Sequence, residues 1–110
     1  MLVWWGTEIE CASALARIER ENAGATGAIA ESFAKLEKLA SSWQEVQPAT
    51  AVKQYSIRLL RVHSLRTADA LQLAAAVLGS EQSPSALEFI CLDNRLAEAA
   101  RKEGFTVIQC

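Results

Sequence analysis

Histidine occurs once, proline twice and cysteine three times in this chain of 110 residues. Each scarcity removes a class of protein. The cysteines, Cys11, Cys91 and Cys110, are odd in number and have no Cys-x-x-Cys spacing. With His63 as the only histidine, neither a disulfide framework nor a zinc centre is expected, and the three cysteines read as small apolar residues with reduced thiols. No apolar run approaches the roughly 20 residues that span a bilayer, so no membrane segment is expected. The start, Met1-Leu2-Val3-Trp4-Trp5-Gly6, lacks the basic region and small-residue cleavage site of a secretory signal. A cytoplasmic protein is the expectation. An excess of positive charge is also missing: the formal net charge is −2, which argues against non-specific nucleic-acid binding over the whole surface but leaves room for a local basic strip. Neither internal repeats nor low-complexity segments occur.

What is present is an apolar fraction of 51% with 22% charged residues, the balance of a globular chain long enough for one domain over residues 1–110. The organising stretch is Arg66-Thr67-Ala68-Asp69-Ala70-Leu71-Gln72-Leu73-Ala74-Ala75-Ala76-Val77-Leu78-Gly79. Thr67 reads as its N-cap and Gly79 as its C-cap, with Leu71, Ala74, Ala75 and Leu78 at helical spacing between them. Apolar nearly all round, it reads as a buried helix, and Asp69 breaks the pattern in its first turn.

Before it, Thr7-Glu8-Ile9-Glu10 matches a capping box and opens a helix whose apolar face is Cys11, Ala14, Leu15 and Ile18. A second helix is predicted from Thr26 to Leu39, with Ile29, Phe33 and Leu36 inward. A turn and a short extended piece over Ser41–Pro48 follow, then a third helix capped by Thr50 and running to Val62. After the central helix, Ser80–Ser85 is a polar loop. Leu87–Leu92 is the best strand, Asn94–Lys102 a helix stopped by Gly104, and Phe105–Ile108 a last strand. Strand, helix and strand with short links predict a parallel βαβ unit, hence an α/β domain.

Glu10, Asp69 and Asp93 all fall at predicted helix starts, and Asp93 also follows a strand. Each has a structural explanation: capping-box acid, partner of the helix dipole, and N-cap. Their combination points further, because ligand sites in parallel α/β folds form beyond the carboxyl ends of strands. Carboxylates gathered there repel one another unless a cation neutralises them. Hard ions such as Mg²⁺ or Mn²⁺ take oxygen ligands and can activate water against a phosphodiester.

Trp5-Gly6-Thr7-Glu8-Ile9-Glu10-Cys11-Ala12-Ser13-Ala14-Leu15-Ala16-Arg17 is similar to the second acidic motif of PIN-domain proteins, above all the VapC-type toxins of toxin–antitoxin systems. Arg66 to Ala76, with Asp-Ala-Leu-x-Leu-Ala, resembles the third motif. Phe89-Ile90-Cys91-Leu92-Asp93-Asn94-Arg95-Leu96, with Ala99-Ala100 and Gly104, resembles the last. The resemblance implies a three-layer α/β/α domain with a parallel sheet. It implies a Mg²⁺-dependent (or Mn²⁺-dependent) endoribonuclease, in which Glu10, Asp69 and Asp93 hold the metal and act in catalysis; Glu8 competes for the first place. Implied partners are an RNA substrate, a VapB-like antitoxin and a second copy in a homodimer. The family's first strand and first acid precede the Trp-Gly-Thr motif and have no counterpart here. Impaired activity is therefore expected, with a non-catalytic, dimeric protein-binding module as the alternative. Arg58, Arg61 and Arg66, with His63, gather basic charge before Asp69. They read either as contacts to RNA phosphates or as a solvated helix face. Trp4 and Trp5 read as core or dimer-surface residues.

Overall fold

The computed structural model describes residues 1–81 and 83–109, Ala86 by its backbone alone. Gln82 of the expected polar loop and Cys110, expected as a reduced thiol, lie outside the described residues. The order is β1 (Leu2–Trp4), α1 (Thr7–Glu21), α2 (Thr26–Ala40), β2 (Gln44–Val46), α3 (Thr50–Val62), α4 (Thr67–Gly79), β3 (Glu88–Cys91), α5 (Asn94–Lys102) and β4 (Thr106–Gln109). Short 3₁₀ turns at Ala23–Ala25 and Pro84–Ala86 lead into α2 and β3.

The chain is thus α/β, mostly helical, with short parallel strands. The expectation of one sheet inside three layers is met only in part. Among the described residues the strands form two separate parallel pairs, β1 with β2 and β3 with β4. In the first, Leu2, Val3 and Trp4 face Gln44, Glu45 and Val46; in the second, Glu88 to Cys91 face Thr106 to Gln109 in step. Burial alternates along β3. Phe89 and Cys91 point into the core, whereas Ile90 is 60% exposed. A parallel strand covered on both sides would be apolar and buried throughout.

One helix joins the two pairs. In α4, Ala70, Leu73, Ala74, Ala75 and Val77 are all buried, while Leu71, Ala76 and Leu78 are half-buried around them. It packs on α3, β1, β2 and α5. The alanines make this possible, since a helix meeting neighbours on several sides needs short side chains for close approach. The expected buried helix is therefore found, with different ends. Arg66 is its N-cap, in extended backbone, and Thr67 is already helical. Gly79 is its last helical residue and Ser80 its C-cap. Gly79 serves packing rather than capping: a Cβ there would lie 2.6 Å from Leu2 Cδ2 and 3.1 Å from Val46 Cγ2. Gly104, by contrast, has φ of 105° and does end α5, a conformation that favours glycine.

Other helix starts also differ by one residue. Gly6, not Thr7, is the N-cap of α1, and Ala49, not Thr50, that of α3; neither helix carries a side-chain cap. The expected capping box of α1 does not form. With the helix starting at Gly6, Glu10 sits one position too far along, and its amide bonds Gly6 O at 3.0 Å. The apolar face of α1 is not buried either, as α1 has no buried residue and packs chiefly on α2. Ile29 and Leu36 of α2 are buried as expected, and Phe33 is half-buried. This helical hairpin lengthens the molecule to 43 × 28 × 26 Å, with a radius of gyration of 15.0 Å against about 13 Å for a compact domain of this size.

Gly6 connects β1 to α1 under tight constraint. A Cβ on it would stand 2.5 Å from Nε1 of Trp4, whose rigid, buried indole sits in the core. Gly6→Ala is expected to destabilise the protein by about 1–3 kcal/mol in urea unfolding, the usual cost of overpacking. Gly27→Ala, where nothing lies within 4 Å of the added methyl, is expected to be neutral or stabilising.

Candidate metal centre

Three acids on three elements are coupled in pairs around the first turn of α4, Glu10 with Asp69 and Asp69 with Asp93. Asp93 follows β3 and caps α5, its Oδ1 accepting from the Leu96 backbone N–H at 2.9 Å. The expected cap is found. Asp69 is the third helical residue of α4, half-buried, and the Arg66 backbone N–H helps to hold its carboxylate. This is the return half of a capping box, acid to N-cap amide, with Arg66 in place of the expected Thr67. Glu10 lies in the first turns of α1, released from any capping duty.

Their electrostatics link them in a row. Partial burial pushes the Asp69 carboxyl up, the charge of Asp93 pushes it further, and the Arg66 amide and charge offset only part of this. Burial and the charge of Asp69 likewise push Glu10 up. Asp69 is therefore the middle member, feeling Asp93 on one side and felt by Glu10 on the other. Of the two candidates for the first acid, Glu10 is the one coupled to Asp69; Glu8 acts on Cys11. Burial and the charges of Glu10 and Glu8 push the Cys11 thiol up, which makes it a poor nucleophile.

Among the described residues, no three His, Cys, Asp or Glu side chains are drawn into a single coordination shell. The donor set nevertheless suits a hard divalent ion. Mg²⁺ is commonly held by one or two carboxylates and keeps several of its waters, so a pair such as Asp69 with one neighbour has the ligand type such an ion takes. Glu10 and Asp69, raised first by burial and then by a neighbouring acid's charge, are groups whose ionised form a cation would favour.

The basic residues divide. Arg58 is committed to Glu103 at 3.2 Å and lies over the Tyr55 ring at 5.0 Å, so it is not simply part of a free strip facing Asp69. Arg61 and Arg66 are exposed. His63 is nearly buried and bonded to Glu103, a pairing that sequence spacing did not reveal because the two are 40 residues apart. Trp4 is core, and Trp5 stands at the surface with its ring edge-on to Trp4. No helix among the described residues is long and apolar enough to cross a membrane. No family model, curated protein or solved structure matches the chain.

The raised carboxyls set a sign for pH. Their ionisation is disfavoured in the folded protein, so the stability they contribute is full below the ordinary carboxylate range and is lost as pH rises through the raised values. Asp69→Asn should thus raise the Tm of the metal-free protein at neutral pH. The scale is about 2 °C, that of a partly screened charge pair, and the gain should vanish near pH ~3. Millimolar Mn²⁺ should raise the Tm of the wild type and leave that of Asp69→Asn unchanged. Calorimetric scans at the two pH values check both.

Proposed function

We propose that the chain is a VapC-like PIN ribonuclease, cleaving RNA by metal-activated water with Glu10, Asp69 and Asp93 around the ion. The observation that carries this reading is the electrostatic chain from Glu10 through Asp69 to Asp93, built from three separate elements. The three sequence motifs agree with it in order and spacing. Mg²⁺ or Mn²⁺, when bound, lowers the pKa of a water and stabilises the charge gathering on the phosphoryl oxygens. The chain's own contribution is placement. Asp69 is the central anchor, on a helix start whose dipole tolerates negative charge. Asp93 is held rigid by its bond to the Leu96 amide. Glu10, exposed near the start of α1 and coupled to Asp69, is the third acid of the set. Exposed Arg61 and Arg66 supply positive charge for RNA phosphates on the approach to Asp69. The finer architecture of the reading is a three-layer PIN-like domain in the cytoplasm, acting with a VapB-like antitoxin and a second copy of the chain.

A second reading is a non-catalytic, dimeric module that binds a protein partner such as an antitoxin. It is favoured by the α1–α2 hairpin, where Ile9, Ile18 and Leu39 are exposed and no residue of α1 is buried. Single-turnover cleavage of a fluorescent RNA separates the two. Cleavage is expected with Mg²⁺ or Mn²⁺, abolished by chelator, and reduced at least ~100-fold in Asp69→Asn and Asp93→Asn, in line with several kcal/mol supplied by the metal. Asparagine caps as well as aspartate, so Asp93→Asn removes the charge and keeps the helix start. Metal-independent cleavage, or full activity in Asp69→Asn, rejects the nuclease. Absence of both cleavage and Mn²⁺ binding in the wild type leaves the binding module.

A further inference from the structure

Glu103, the C-cap of α5, is an acid almost out of contact with water, its side chain 9% exposed. Glutamate is rarely so placed without partners. Its Oε2 lies 2.7 Å from Nε2 of His63, itself only 6% exposed, and its Oε1 accepts from Arg58 Nη1 at 3.2 Å. Because an ionised carboxylate can only accept, the His63 Nε2–H is the donor. Burial alone pushes the Glu103 carboxyl up, but the hydrogen bonds from His63 and Arg58 and their charges outweigh it and hold the group below its ordinary value. The acid is therefore ionised, anchored at both oxygens, and fixed to the end of α5.

What it anchors is the chain's only histidine, at a particular place. His63 is the C-cap of α3, where the backbone leaves the helix for φ −122° and ψ 152°. Its amide is tied to Leu59 O at 2.8 Å, and its carbonyl accepts from the Leu65 amide at 3.1 Å. Leu65 packs on the core. The next residue is Arg66, the N-cap of α4, whose backbone N–H holds the Asp69 carboxylate and whose carbonyl accepts from the Ala70 amide at 3.0 Å. Only Ser64 and Leu65 separate the anchored histidine from that N-cap.

The packing of α4 itself does not do this job. The buried stretch of α4 begins at Ala70; Thr67 and Ala68 are exposed and Asp69 only half-buried. The first turn of α4 thus projects beyond the core that holds the rest of the helix, and its direction depends on the link that leads into it. We propose that Glu103 is a positioning residue for Asp69, acting through His63 to fix the α3–α4 link and so the first turn of α4. Glu103 itself lies at the far end of α5 from Asp93 and touches none of the three acids at the candidate centre. A buried hydrogen bond to a carboxylate suits such a role, since it specifies one orientation where an apolar contact would accept several. The consequence for metal binding rests on the nuclease reading above; the structural claim does not.

Amide hydrogen exchange on full-length Glu103→Leu, Glu103→Gln and His63→Leu tests the structural claim without metal. In Glu103→Leu and His63→Leu, exchange at the Leu65, Arg66 and Ala70 amides is expected to quicken at least tenfold, with Leu73 to Val77 unchanged. Glu103→Gln, whose amide oxygen still accepts from His63, is expected to restore most of that protection. Equal acceleration along the whole of α4, or none at its first turn, overturns the proposal, because a purely structural role would move every amide together. Mn²⁺ titration by electron paramagnetic resonance is the second readout. An approximately tenfold weaker Kd in Glu103→Leu, with recovery in Glu103→Gln, extends the positioning role to the metal. An unchanged Kd beside a loosened first turn overturns that extension. A wild type that binds no Mn²⁺ instead overturns the nuclease reading, while the exchange pattern still decides the claim about Glu103.

Discussion

The structure depends on a helix that is buried because its residues are small. In α4, alanines at 70, 74 and 75 let α3, the β1–β2 pair and α5 approach one axis, while Leu73 and Val77 fill what remains. No hydrogen bonds between strands join the two parallel pairs among the described residues; α4 packs on the first pair directly and reaches the second through α5. Gly79 shows how close the approach is, since Leu2 and Val46 occupy the space its side chain would need. Such a helix presents few polar groups, and the one acid it carries is confined to the end that emerges from the core. The position of Asp69 is thus a consequence of packing before it is a matter of chemistry.

That position is electrostatically costly, and the surroundings compensate only partly. A helix start offers unpaired amides and the favourable end of a dipole, and the Arg66 N–H takes up the carboxylate. Against this stand desolvation and the facing charge of Asp93, which win. Glu103 makes an instructive contrast. It too is penalised by burial, yet two cationic or hydrogen-bonding partners bring its carboxyl down. For Glu103 the partners outweigh the cost of burial; for Asp69 the single charge of Arg66 does not.

Much of the fold was legible because it rests on local pattern. The buried helix, the helix over Asn94–Lys102 stopped by Gly104, the Asp93 cap and the parallel pairing of the last two strands all follow from spacing within some 20 residues. The helix starts were misplaced by one residue for a physical reason. Threonine at 7, 50 and 67 suits a cap, but each helix already begins at the residue before it, at Gly6, Ala49 and Arg66. Strand β1 was not foreseen, since Leu2–Trp4 is too short to show alternation and is defined by its partner Gln44–Val46. The candidate acids were legible as residues and their neighbourhood as a conjecture. Glu103 was invisible, because nothing in the local sequence around it marks a partner on another helix.

The two strand pairs differ in how much chain each must gather. Leu2 meets Gln44 across 42 residues, with the whole α1–α2 hairpin inside the loop, whereas Glu88 meets Thr106 across 18. On polymer grounds the longer closure costs about 0.7 kcal/mol more entropy. It also encloses a hairpin whose first helix buries nothing that would help draw the ends together. The C-terminal β3–α5–β4 unit is therefore the more local of the two closures, and β1–β2 the one with the larger entropic cost. Asp93 lies inside the short closure and Glu10 inside the long one, so the row of carboxylates draws on both and inherits the entropic cost of the longer.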